Sequence, residues 1–168
     1  MRISLDSADP EFADEVIREP GGSGIRFCIA CSTCSAGCPV RRVSDDYNPR
    51  RIIRLILTGQ RDTVLKSDFI WHCSSCCTCD ERCPQGVHIP SVMTALRNIA
   101  AREGHLPAGY EKQRELLMHH GRLYEIDDFD NGKRMKADLP VIVTSNRLIR
   151  LLADSLAKER IEGYRESP

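Results

Sequence analysis

At 168 residues the chain is long enough for one domain with a modest core. Its formal net charge is +0 and aromatic residues make up 5% of it, which gives no electrostatic argument for nucleic acid or a membrane surface and few platforms for stacking bases. The outlying number is nine cysteines; residues 1–6 lack the apolar core of a signal peptide, and the most apolar stretch, residues 52–57, is broken by Arg54, so the expectation is a reduced, cytoplasmic protein with no transmembrane segment, in which clustered thiols mean metal.

In chain order, residues 10–19 read as a short helix, and Pro20-Gly21-Gly22-Ser23-Gly24 as a flexible joint. The first cysteine block follows as Cys28-x2-Cys31-x2-Cys34-x3-Cys38-Pro39. Asn48 then reads as an N-cap with Pro49 at the first helical position, and Ile52, Ile53, Ile56 and Leu57 form one apolar face before Gly59 ends the helix. The second block is Cys73-x2-Cys76-x2-Cys79-x3-Cys83-Pro84, with every cysteine 45 residues after its counterpart, which makes an internal repeat. The ninth cysteine, Cys77, breaks the pattern, and Ser35 is read as its equivalent in the first block.

Pro90 opens a helix carrying Val92, Met93, Leu96, Ile99 and Ala100, closed by Gly104 and Pro107. A further helix is expected over residues 108–120, before Gly121. The polar, charged composition of residues 127–138 reads as a loop, residues 141–143 as a short strand, and residues 145–162 as a last helix with Leu148, Ile149, Leu152 and Leu156 on one stripe. Strand signal is otherwise nearly absent. The fold expected is therefore mainly α, an α-helical ferredoxin with two [4Fe–4S]-binding motifs: residues 1–24 as helix and joint, 25–122 as the dicluster domain, and 123–168 as a loop and C-terminal helix available to a partner.

A cubane cluster has four irons, each wanting a thiolate. Three cysteines spaced by two residues wrap three corners, and the fourth corner is reached from elsewhere. In two-cluster ferredoxins with this run, the fourth cysteine ligates the other cluster. Carried onto this chain, cluster I takes Cys28, Cys31, Cys34 and Cys83, and cluster II takes Cys73, Cys76, Cys79 and Cys38. Such crossing staples the two halves and couples folding to metal. Zinc is the competing metal, but it usually wants four ligands in two separated pairs, and two complete sets of four with a trailing proline are far more specific. His72 and His88 read as ordinary polar residues because every ligand place is filled. Cys77 reads as a small buried residue, with a reactive thiol as the alternative.

Eight thiolates contribute about −8 and two oxidised cores about +4, so the loaded protein sits near −4. Arg41, Arg42, Arg50, Arg51 and Arg54 are then either a solvated face or a means of raising potentials and docking an acidic partner. Trp71 is expected to shield the second cluster from water.

The two motifs, together with Asn48-Pro49-Arg50-Arg51-Ile52-Ile53-Arg54 and the stretch from Ile70-Trp71-His72-Cys73 to Cys83-Pro84-Gln85-Gly86-Val87, resemble the C subunit of heterodisulfide reductase over roughly residues 10–120. The tail beyond about residue 125 shows no such match and is compatible with a divergent, heterodisulfide-reductase-like branch of sulfur metabolism. The resemblance implies a non-catalytic electron-transfer subunit of an oxidoreductase complex. It would take electrons from the flavin-containing A subunit of such a complex and pass them to the B subunit, which processes the disulfide. No catalytic residue is expected here, because the one adjacent pair, Cys76-Cys77, lies inside a ferredoxin motif. The absence of a plant-type Cys-x4-Cys-x2-Cys run and of Gly-x-Gly-x-x-Gly sets aside succinate-dehydrogenase-type iron–sulfur proteins and a bound dinucleotide. The alternative reading is a freestanding soluble dicluster ferredoxin.

Overall fold

The computed structural model describes residues 7–144 and 146–165, with side chains described as far as Ser155. Among these residues there are ten α-helices and no strand. They fall into two compact units, Met1–Leu106 and Pro107–Pro168.

The first unit builds its core from helices whose apolar faces are set by sequence. Helix α1 (Phe12–Arg18) buries Phe12, Ala13 and Val16. A 3-10 turn, Ile25–Phe27, leads into the first cysteine block, which carries the four-residue helix α2 (Thr33–Ala36) and then α3 (Pro39–Val43). Helix α4 (Pro49–Leu57) starts as its sequence dictates: the Asn48 side chain accepts the Arg51 backbone N–H at 3.1 Å, and Pro49 needs no partner for the N–H that it lacks. Its buried face is Ile52, Ile53, Leu55 and Ile56, while Leu57 is 38% exposed, so Leu55 takes the place expected for Leu57. The chain turns out of α4 at Gly59, with φ of +69°, where an added Cβ would stand 2.4 Å from the Asp9 carbonyl. That approach lets the Asp9 N–H donate to the Gly59 carbonyl at 2.8 Å.

Helix α5 (Arg61–Leu65) follows, and a second 3-10 turn, Asp68–His72, leads into the second block with its own four-residue helix α6 (Thr78–Glu81). Helix α7 (Ile89–Arg102), opened by His88 and Pro90, buries seven residues including Val92, Met93, Leu96 and Ile99. Each large apolar side chain fully buried this way contributes about 1.5–3 kcal/mol. Arg61 ties α5 to its neighbours through ion pairs with Asp9 (3.4 Å), Glu15 (3.0 Å) and Glu103.

The second unit contains α8 (Ala108–His120), α9 (Asp128–Lys136) and α10 (Asn146–Arg165). Helix α8 has the expected bounds and ends on Gly121. Residues 128–136, expected as a loop, are helical because their charges are ordered along the axis. Asp127 caps the Asp130 N–H at 2.8 Å, Asp128 and Asp130 lie in the first turn, and Lys133, Arg134 and Lys136 lie in the last. Residues 141–143 do not form a strand. The Asn131 side chain satisfies both main-chain groups of Ile142, at 2.9 and 3.1 Å, where a neighbouring strand would have stood. The expected start of the last helix at Ser145, the Leu156 side chain and the reading of residues 1–6 lie outside the described residues.

Candidate metal centre

The two cysteine blocks adopt the same local course, one repeat unit apart. Ala30 and Ser75 have φ of 55° and 52°, and Ser32 and Cys77 have φ of 71° and 58°. These left-handed residues coil the chain between successive cysteines, and in the first block all three cysteines line one cleft. Ser32 and Cys77 each stand at the N-cap of a four-residue helix. The structural equivalent of Cys77 is thus Ser32 and not Ser35, as the offset of 45 requires. Cys77 is exposed rather than buried, because its place on the outside of this turn points it away from the core; its thiol donates to the Ser75 carbonyl at 3.4 Å.

The equivalences extend to the sulfurs. Cys31 Sγ and Thr33 Oγ1 are hydrogen-bonded at 3.4 Å, and Cys76 Sγ and Thr78 Oγ1 at 3.5 Å. Both threonine hydroxyls hold their cysteine below the usual thiol range, and both cysteines are exposed. Burial acts the other way one position on. It raises Cys34, and it pushes Cys79 up to about 12, helped by the neighbouring Cys73. Each block therefore offers one thiol near solvent and one deep thiol whose charge needs a metal or a positive group beside it.

Cys28, Cys31, Cys34 and Cys83 line one cleft of about 350 Å³, part of it open to solvent. Its remaining wall is mainly apolar and includes Ile29, Ala30, Pro84, Val87 and Ile89, with Arg50 at the edge. The Val87 N–H donates to Cys83 Sγ at 3.3 Å. Cys83 thus joins three cysteines from the other half of the chain. Cys38, the most buried of the nine at 8% exposed, lies instead with Cys73 and Cys79 around Tyr47. Helices α2 and α6 pack together, and Cys34 and Cys79 are close enough to interact.

Tyr47 is 1% exposed. Burial, then hydrogen bonding to Cys73 and the nearness of Cys38 and Cys79, hold its phenol protonated well above the usual tyrosine range. Arg97 reaches the same cysteine from α7. Its guanidinium donates to the carbonyls of Ile70 (2.9 Å), Trp71 (3.4 Å) and Cys73 (2.8 Å) and lies 5.9 Å from the Trp71 ring centre. Trp71 itself is half-buried beside Cys73. His72 and His88 are exposed, and His88 Nδ1 stands 2.7 Å from Asp80 Oδ1, off the line of a good hydrogen bond. Arg41 pairs with Asp45, and Arg42, Arg50 and Arg54 are exposed.

The donor set fits an iron–sulfur cluster. Among the described residues no group of three or more His, Cys, Asp or Glu side chains is placed to hold one metal ion. Four thiols around one mainly apolar cleft are instead the donor type and number that a cubane cluster takes. Neither threonine, nor Tyr47, nor Arg97 was among the residues picked out from the sequence. The threonines were legible as the third residue of Cys-x-Thr in both blocks, whereas Tyr47 and Arg97 carry no local signal.

Residues 24–87 match the family model of the 4Fe–4S dicluster domain. The chain is 35% identical to the iron–sulfur C2 subunit of the CoB–CoM heterodisulfide reductase of Methanocaldococcus jannaschii, over 82% of this chain and 77% of that protein. It is 35% identical to the corresponding C subunit of Methanopyrus kandleri, over 75% and 69% of the two chains. It is 34% identical to the C subunit of the ferredoxin:CoB–CoM heterodisulfide reductase of Methanosarcina mazei, over 75% and 77%. No helix among the described residues is long and apolar enough to cross a membrane. The chain belongs to the family of heterodisulfide reductase C subunits, and its cofactors are the 4Fe–4S clusters of a dicluster domain.

Proposed function

We propose that this chain is the relay subunit of a heterodisulfide-reductase-type complex in the cytoplasm, standing between a flavin-bearing partner and a second partner that does the disulfide chemistry. Cluster I is held by Cys28, Cys31, Cys34 and Cys83, and cluster II by Cys73, Cys76, Cys79 and Cys38. The observation that carries this reading is the cleft in which Cys83 faces three cysteines of the first block. The clusters supply reversible one-electron transfer. The protein's part is to hold the two thiol sets side by side on α2 and α6, to keep water from the deep thiols, and to leave Cys31 and Cys76 near the surface where partners approach.

The disulfide chemistry is assigned to another chain. Both adjacent thiols available here, Cys76 and Cys77, are exposed, and Cys76 is committed to a cluster. The C-terminal unit serves to dock partners: none of α8, α9 and the described part of α10 buries a residue, and Phe129, Leu148 and Leu151 are exposed. That apolar surface favours a complex over a freestanding ferredoxin, which has no use for it.

The test is anaerobic purification of the chain from its own cells, with assay of iron and sulfide and identification of co-purifying proteins. About eight irons per chain and two larger partners are expected. Fewer than about six irons would overturn the two-cluster reading, and a monomer exchanging freely with many donors would favour the ferredoxin. Crossing is tested separately by Cys38→Ser, which is expected to damage the cluster on Cys73, Cys76 and Cys79 and to spare the one on Cys28.

A further inference from the structure

The repeat makes the two thiol sets alike, yet what faces them differs. Counting from the caps of the following helices, Tyr47 precedes Asn48 and Val87 precedes His88; both are 1% exposed. Tyr47 places a buried phenol near Cys73, while Val87 lines the first cleft and its main-chain N–H donates to Cys83 Sγ at 3.3 Å, so neighbouring donors do not set the two sites apart. Arg97 stands nine residues after His88, and the residue nine after Asn48 is Leu57. Arg97 is part-buried and fixed by three main-chain carbonyls, including that of Cys73. The cation at the first cleft, Arg50, is exposed, so water screens it.

We propose that Arg97 makes the cluster on Cys73 the higher-potential member of the pair, so that an electron entering this chain comes to rest there. The inference builds on the two-cluster reading above, but it does not need the crossing, since Cys73 belongs to the second set either way. The physical argument is one of charge. Reduction adds one negative charge to a cluster and its thiolates. A part-buried cation held on the main-chain carbonyl of a ligand cysteine stabilises the reduced form over the oxidised one. The threonine contacts do not separate the clusters, because Thr33 and Thr78 act on Cys31 and Cys76 at nearly the same distance. Direction of flow follows from the difference. Electrons run from the first set to the Cys73 set.

The test is a redox titration of the full-length, cluster-loaded protein, followed by electron paramagnetic resonance. The variants are Arg97→Met, which removes the charge, Arg97→Gln, which removes the charge but keeps an amide donor for the carbonyls, and Arg97→Lys, which restores the charge. Cys76→Ser identifies the signal of the second set. In the wild type that signal is expected to reduce first. Arg97→Met and Arg97→Gln are each expected to lower its reduced-to-oxidised ratio at a fixed potential about five- to tenfold, tenfold being about 59 mV for one electron. The other signal moves less than about twofold, as screening over that distance allows, and Arg97→Lys recovers most of the loss. If Arg97→Met does not retain its iron, Arg97→Gln decides. Two clusters with unmoved potentials, or potentials that move together, overturn the inference alone. A wild type holding one cluster overturns the two-cluster reading and this inference with it.

Discussion

Residues 25–38 and 70–83 run the same course: a 3-10 turn, a first cysteine, two left-handed residues around a second, and a four-residue helix carrying a third. The chain leaves the two blocks by different routes. Pro39 opens α3, and ten residues after Cys38 the chain reaches Asn48, whose side chain caps α4. After Cys83 a turn through Gly86 leads, within five residues, to His88, which makes no side-chain cap. The ties back to the blocks also differ in kind. The Ser35 hydroxyl donates to Asn48 Oδ1 at 2.7 Å, whereas Asp80 Oδ1 only stands 2.7 Å from His88 Nδ1, off the line of a good hydrogen bond. The difference teaches where the constraint lies. Thiols that must meet the corners of a cluster admit one loop geometry, so both blocks repeat it, while the exits need satisfy only packing and are free to diverge.

Removing iron tests the shared part with the largest effect. Chelation under reducing conditions is expected to abolish cooperative melting of the unit that carries both blocks, because ligand binding and folding are one process there. Circular dichroism across a thermal ramp checks it, and an unchanged transition would mean that the thiols are ornamental to the fold.

The exit helices test the divergent part. Leu96 on α7 is 0% exposed, and Leu96→Ala is expected to cost about 2–5 kcal/mol. On α4, Leu57→Ala is expected to cost under about 1 kcal/mol, because that side chain is 38% exposed. Denaturant titration of the loaded protein separates the two, and equal costs would contradict the burial pattern.

The caps differ more modestly. Asn48→Ala removes an acceptor shared by the Arg51 N–H and the Ser35 hydroxyl, for about 1–2 kcal/mol. His88→Ala removes a contact with Asp80 whose histidine is 65% exposed, for under about 1 kcal/mol. The same titration ranks them, and a larger loss at His88 would reverse the account of the exits.

The smallest effect returns to the repeat itself. Thr33→Val and Thr78→Val each remove a hydroxyl from an exposed thiol, and each is expected to lower the reduced fraction of its own cluster by about twofold, the scale of one weak hydrogen bond. Unequal shifts, read by redox titration, would show that the two sites are less alike than their backbones.

Much of the first unit was legible from residue order. Asn48-Pro49 announced α4, and in the second unit Gly121 marked the end of α8, because caps and stops act within a turn of themselves. Helix α9 was missed because polar composition outweighed charge order, although Asp127 and the run from acidic to basic residues were there to read. Residues 141–143 have the β-branched composition of a strand, but a strand needs a partner, and the Asn131 amide had already taken that place. Leu55 replaced Leu57 in the core because the buried stripe of α4 is set by what α1 and α5 press against it.

The order of residues alone determined the two cysteine blocks and their repeat of 45, since ligand spacing is local chemistry that a linear pattern expresses in full, and the linking residues at 48–54 and 70–87 added the family resemblance. What tertiary structure decided is the inequality of the two sites. Cys73 meets Arg97 from 24 residues further on and Tyr47 from 26 residues before. Neither contact has a sequence signature, because each arises from how α4 and α7 pack around the blocks, and packing depends on all the buried side chains together.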